Sequence, residues 1–218
     1  MTEAEWLAST DPRRMLEYLR DKASDRKLRL FACALCRAVR GTLHLGPGPA
    51  VAVAERYADR LASGQDLASE RRGVPFPDMF SEWVVGPSVY DGAWQAVDYL
   101  TSPLDLMKLD PDAFRHVPIP LDDLVERSVL LLRDLFDNPF RPVTLSPGWR
   151  SPVVQGLAQA AYDEREQRAG PLDNARLAVL ADALGEADCT DALLLGHLRG
   201  PGPHVRGCWA VDLLLGKG

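Results

Sequence analysis

Apolar residues recur at intervals of three and four along most of this chain, the spacing of one face of a helix. Trp6 and Leu7 follow Thr2-Glu3-Ala4-Glu5, in which Thr and Glu answer each other's backbone N–H groups as a capping box. Asp11-Pro12 opens a second helix with the stripe Met15, Leu16 and Leu19: Asp caps, and Pro takes the first position, where a missing N–H costs nothing. Ser24 caps a third, in which Leu28, Phe31 and Leu35 lie beside Ala32, Cys36 and Val39. Val51, Ala54, Ala58 and Leu61 mark a fourth, with Gly64 expected to stop it.

The pattern then loosens. Glu70 to Asp78 mixes charge, Gly and Pro and predicts a loop, and Phe80 to Leu100 predicts two helical pieces broken at Gly86-Pro87. Residues 102 to 120 hold four prolines and predict an irregular crossover. Helices return over Leu121 to Phe136 and Val153 to Arg168. Leu177, Leu180, Ala181 and Leu184 mark another, and Thr190 is expected to cap one over Asp191 to Arg199. After the turn Gly200-Pro201-Gly202-Pro203, Cys208 to Leu215 is apolar nearly all round, which predicts a buried terminal helix with Trp209 as its anchor and Asp212 in need of a partner, Arg199 or Arg206. Alternation typical of strands occurs only in brief patches, around Val117 to Leu121 and Val143 to Leu145. The expected fold is therefore all-α, one domain over residues 1–218 with about ten helices and a soft boundary near 102–120.

Composition refines this only a little. The net charge is −6, but residues 11 to 40 carry nine basic side chains against four acidic ones, a local +5 that leaves −11 for the rest. Such asymmetry fits a nucleic-acid surface, or basic helices docked beside acidic ones of the same chain, and the second reading is preferred. Four cysteines are too sparse for a disulfide framework, the start MTEAEWLAS lacks the basic and apolar parts of a signal peptide, and no apolar run approaches the ~18 residues of a membrane span. A cytoplasmic location without membrane attachment is the expectation.

The sharpest chemical candidate is a zinc site from Cys33 and Cys36, one helical turn apart, with Cys208 and either His204 or His197, since thiolate and imidazole are the ligands zinc prefers. The competing reading is that cysteines inside an apolar helix are small core residues. A second candidate makes Cys208 a nucleophile at a helix N-terminus with His204 as base, but no orienting carboxylate and no oxyanion element accompany it. The glycines of GPGPHVRG lack the spacing and the Lys-Ser/Thr of a phosphate loop. Arg199, His204 and Arg206 are expected to form a small cationic surface on that turn, with His204 exposed to solvent.

Four blocks carry a resemblance: MTEAEWLASTDPRRMLEYLRDKASDRKLRLFACALCR, VAVAERYADRLASG, LLRDLFDNPFRPVTLSPGW and LADALGEADCTDALLLGHLRGPGPHVRGCWAVDLLLGK. Together they resemble a large paralogous protein family typical of planctomycete bacteria. The resemblance implies no activity, because none is established for that family. The chain departs from the family pattern with Leu35 and Leu198, where further cysteines are expected. Read as a whole, the sequence favours a non-catalytic interaction or adaptor module with a protein partner. The alternative from another class is a zinc-binding or thiol-dependent enzyme using Cys33, Cys36, Cys208 and His204, and nucleic-acid binding through the basic residues between 13 and 40 ranks third.

Overall fold

The structure is a computed structural model that describes residues 1–42, 48–73, 79–101, 121–164 and 170–217. The described residues form α-helices and one short 3-10 turn, with no strand among them. The fold is all-α, as the spacing of apolar residues predicts. The predicted crossover and soft boundary at 102–120 lie outside the described residues. By packing, the chain divides into two compact units, Met1–Leu132 and Arg133–Gly218. No helix among the described residues is long and apolar enough to cross a membrane.

In the first unit the helices are α1 (Glu3–Ala8), α2 (Pro12–Leu19), α3 (Asp25–Thr42), α4 (Pro49–Ala58), α5 (Gly64–Gly73), α6 (Met79–Val85) and α7 (Val89–Thr101); the start of α8 (Leu121–Phe136) follows. The capping box of α1 is present: the Glu5 N–H reaches the Thr2 hydroxyl at 3.3 Å, and the Thr2 N–H reaches the Glu5 carboxylate at 2.7 Å. Asp11 accepts from the Arg13 N–H at the head of α2, where Pro12 takes the first position. Helix α3 packs against α4 and α7, and buries Leu28, Phe31, Ala32, Leu35 and Cys36 along the predicted face.

One element departs from the expectation. Gly64 does not stop a helix but begins α5, which runs through Glu70–Gly73 where a loop is predicted. The physical reason is at its head: Ser63 Oγ accepts the Asp66 N–H, and the Asp66 carboxylate accepts the Ser63 N–H at 2.8 Å. That reciprocal pair satisfies two orphan donors and outweighs the cost of glycine in a first turn.

Among the basic residues between 13 and 40, Arg13, Arg14, Arg20, Arg26, Arg29 and Arg37 have partners within the first unit. Arg26 pairs with the buried Asp59 at 2.9 Å, and Arg37 with the buried Glu55 at 2.7 Å. Buried Arg29 donates to the Val84 carbonyl and lies over the Tyr57 ring. Arg20 stacks on Tyr90, and Arg13 and Arg14 face Asp98 and Glu5.

The second unit holds the end of α8, then α9 (Pro152–Asp163), α10 (Asn174–Glu186), α11 (Ala192–Leu198) and α12 (Trp209–Leu215). Helix α9 packs on α10 and α12, and α11 on α10 and α12. Val154, Ala158, Tyr162, Leu177, Leu180, Leu184, Leu194, Leu198, Val211 and Leu214 make its core. Residues Val143 to Leu145 form no strand. The cap of α11 is Asp191, not Thr190: its carboxylate accepts the Leu194 N–H at 2.9 Å, where a hydroxyl one residue earlier would miss the first turn. Cys208 is the residue that precedes α12, whose first residue is Trp209.

Candidate metal centre

The four side chains of the candidate centre come from helix ends and the loop beside them. Asp134 stands in the last turn of α8, on the face that also buries Leu131 and Leu135. His197 is in the last turn of α11, and Cys208 precedes the first turn of α12. His204 lies in the loop between them, and Gly202 makes room for it. At φ +84 the residue adopts a left-handed conformation, and a Cβ there would fall 2.7 Å from the His204 backbone nitrogen. The loop is tied inward at two points: the Leu172 N–H donates to the His204 carbonyl at 2.8 Å, and the Cys208 N–H donates to the Val205 carbonyl at 2.8 Å.

His204 thus points into the protein and is 3 % exposed, which corrects the expectation of a solvent-facing turn. The cationic surface expected from Arg199, His204 and Arg206 does not include it. Arg199 pairs with Asp182 at 2.9 Å, and Arg206 lies over the Tyr162 ring. The Pro and Gly residues around His204 signal a turn, but a turn can present its polar side chain to either side.

The four side chains converge. His197 Nε2 and His204 Nδ1 lie 3.1 and 3.0 Å from the same oxygen, Asp134 Oδ1, and His197 Nε2 lies 3.2 Å from Cys208 Sγ. The four ligand atoms are all within 4.8 Å of one another, so this group could hold a metal ion. In a tetrahedral zinc site with bonds of ~2.0 to 2.3 Å, neighbouring ligand atoms stand about 3.3 to 3.8 Å apart, so small adjustments bring these atoms into place.

Electrostatics and proton placement describe the same convergence. Burial pushes the Asp134 carboxyl up, but the hydrogen bonds and charges of His197 and His204 outweigh it and hold it below the ordinary carboxylate value. Burial pulls His204 down, and the hydrogen bond and charge of Asp134, with the Gly200 carbonyl, more than reverse that. Both nitrogens of His204 face acceptors, Asp134 at Nδ1 and the Gly200 carbonyl at Nε2 3.3 Å away, an arrangement that favours the protonated ring. Burial first, and the Asp134 charge second, push the Cys208 thiol far up.

With protons alone between these groups, the donors crowd one carboxylate. Once His197 Nε2 donates to Asp134 it has no lone pair for the thiol at 3.2 Å, and the thiol must turn to the same carboxylate. A divalent cation removes the conflict, because each nitrogen, oxygen and sulfur then offers a lone pair inward. Asp134 and the Cys208 thiolate would supply two negative charges to balance it.

Outer contacts are in place for two of the four ligands: Asp134 Oδ2 accepts the Val205 N–H at 2.9 Å, and His204 Nε2 faces the Gly200 carbonyl. Such anchors orient ligands and tune their basicity.

Of the sequence candidates, the structure brings together His204 and Cys208, and places His197 beside both rather than in place of one. Cys33 and Cys36 lie in α3 of the first unit, buried, and are not among the members of this group. Cys33 Sγ lies 3.9 Å from the Val51 carbonyl, and burial pushes its thiol far up. All four cysteines are free thiols. Asp134 was missed by sequence reasoning. Its signal is a carboxylate three residues after Leu131 and one before Leu135, in the middle of an apolar stripe. No family model, no curated protein and no solved structure matches the chain.

Proposed function

We propose that the chain is a non-catalytic helical module, of the interaction or adaptor kind, whose C-terminal unit is held together by a structural zinc ion. The observation that supports it is the convergence of Asp134, His197, His204 and Cys208, two imidazoles, a thiol and a carboxylate with their ligand atoms within 4.8 Å. Four protein ligands close a tetrahedral shell, whereas catalytic zinc keeps a position for water or substrate. A closed site steadies a fold rather than turning over a substrate, which suits a module that presents helical surface to a protein partner. Sulfur and imidazole ligands favour zinc over magnesium or calcium, which take oxygen. A thiol-enzyme reading is less well supported, because Cys208 is fully buried and its thiol is held protonated, the opposite of what a nucleophile needs.

Elemental analysis of protein purified without added metal tests this. About one equivalent of zinc per chain is expected, lost in Cys208→Ala and His204→Ala and kept in a Cys33→Ala, Cys36→Ala double variant. Zinc that disappears with the first-unit cysteines and persists without Cys208 would overturn the ligand set. Protein that takes up no zinc even when it is supplied would overturn the metal reading itself.

A further inference from the structure

The four ligands are not equivalent. Asp134, His204 and Cys208 are 2, 3 and 0 % exposed, and Asp134 and His204 each have an outer contact that fixes them. His197 differs in both respects. Its side chain is 20 % exposed, and its Nδ1 makes no hydrogen bond among the described residues, so nothing beyond the site fixes the ring. Apart from its Nε2 contacts within the site and the more distant charge of Asp137, it is held by ring contacts, with His204 at 4.8 Å and Trp209 at 4.9 Å between centroids. It is also the next-to-last residue of a helix of seven, between Gly196 and Gly200, and a Cβ on Gly196 would meet nothing within 4 Å.

Resting on the zinc reading above, we propose that His197 is the gate of the site: three buried ligands form a fixed cradle, and the metal enters and leaves by exchange of the His197 imidazole for a ligand from solvent. A ligating histidine ordinarily donates its second ring N–H to a carboxylate, carbonyl or water that fixes it, and the loss of such a partner costs metal affinity about 10- to 100-fold. His197 has no protein partner of this kind. Its departure costs one metal–nitrogen bond and leaves the other three ligands in register, whereas departure of His204 requires the Gly200 contact and the inward loop to break as well. The zinc would therefore be exchangeable, and a small competing ligand in solution would accelerate its release.

Cobalt(II) is the probe, because it takes the same ligands and its visible absorption reports tetrahedral coordination and thiolate bonding. The full-length protein, stripped of metal, is titrated with cobalt as wild type, His197→Ala and His204→Ala. The expected result is a tetrahedral spectrum in wild type and an affinity at least about 100-fold weaker in both variants. Added imidazole should then bring His197→Ala back to within about tenfold of wild type, by filling a cavity open to solvent, and leave His204→Ala unrepaired. Imidazole that rescues neither variant, or both equally, overturns the gate. A second measurement needs no variant: cobalt release from wild type into a small chelator should speed up in proportion to chelator concentration. Release independent of chelator concentration means that no incoming ligand reaches the metal, and also overturns the gate while leaving the zinc site standing. If wild type shows no tetrahedral cobalt spectrum, the zinc reading fails and the gate fails with it.

Discussion

Replacing Asp134 by alanine removes the acceptor on which the whole centre turns, and its cost can be bounded from the structure. The carboxylate is 2 % exposed and accepts from His197, His204 and the Val205 N–H at 3.1, 3.0 and 2.9 Å. Hydrogen bonds to charged groups contribute ~1.5 to 3 kcal/mol each, so adding three gives about 4.5 to 9 kcal/mol. That sum is too large, because His204 can release its proton once the carboxylate is gone and the three bonds share one acceptor. Removing one member of a buried ion pair costs ~3 to 5 kcal/mol, and that is the expected loss. Urea denaturation in the presence of a chelator, followed by far-ultraviolet circular dichroism, should show the midpoint falling by about 2 M, for a slope of ~2 kcal/mol/M. Asp182→Ala is the comparison, because that carboxylate also pairs with a cation, Arg199, but its side chain is 71 % exposed. It should cost no more than ~1 kcal/mol. With zinc in place of chelator the gap between the two variants should widen, since a metal that binds only the folded wild type adds its binding free energy to stability. A metal-free Asp134→Ala protein within ~1 kcal/mol of wild type would show that the carboxylate is not an organising charge, and the reasoning about the centre would fail with it.

Further outcomes follow from other residues. In the metal-free protein the Asp134–His204 pair stabilises most between about pH 4 and 6.5, the ordinary values of the two groups being 3.8 and 6.5. The lowered Asp134 value means its contribution is lost as pH falls through that value, and the raised His204 value means its contribution is lost as pH rises through that one. Urea midpoints across pH 3 to 9 in chelator should therefore peak in the acidic range, and a curve that rises steadily to pH 9 would contradict the pairing. Gly92→Ala should destabilise the first unit by ~3 kcal/mol or more, because a Cβ would lie 2.2 Å from the Trp83 carbonyl where α6 and α7 meet. Gly156→Ala, in the interior of α9 with nothing within 4 Å of the new carbon, should instead stabilise by ~0.4 to 1 kcal/mol, and thermal melts of the two variants moving the same way would refute the packing argument. Trp209→Ala should cost ~3 to 5 kcal/mol, since the side chain is 8 % exposed, against under ~0.5 for Leu193→Ala at 57 %; calorimetry on both decides it.

How far the sequence carries can be followed residue by residue. Helices α2 and α3 were legible because each has an apolar stripe of the right period and a capping residue at its head, two signals that agree, and α10 was legible from its stripe alone. Helix α5 was not, because its apolar content is a single buried residue, Leu67, and its start rests on a Ser63–Asp66 exchange around a glycine that reads as a stop. At the centre, the imidazole and thiol of His204 and Cys208 identify themselves as ligands by type. Cys33 and Cys36 identify themselves equally well by type, but helical spacing within an apolar segment puts both into the core of the first unit. Asp134 carries no such mark by type; its only signal is its place in the apolar stripe, and an aspartate in a leucine-rich helix otherwise reads as a solvated charge. The fold, by bringing residue 134 against residues 197 to 208, turns that position into a candidate ligand.

Helix α8 ends in the run Leu130-Leu131-Leu132-Arg133-Asp134-Leu135-Phe136, a surface nearly uniform in oiliness. Such a helix could slide or roll against its neighbours with little change in buried area, because one leucine substitutes for the next. A slip of one residue rotates it by about 100° and shifts it by about 1.5 Å, which takes the carboxylate away from both imidazoles and the Val205 N–H. The buried carboxylate of Asp134 thus acts as an index mark. It contributes less to how strongly the helix is held than to which of several equally greasy alignments is chosen, much as one polar residue fixes alignment in a coiled coil. Leucine at 134 would preserve the oil and erase the mark, and the expected consequence is a unit that remains helical while losing a unique arrangement of its last turn.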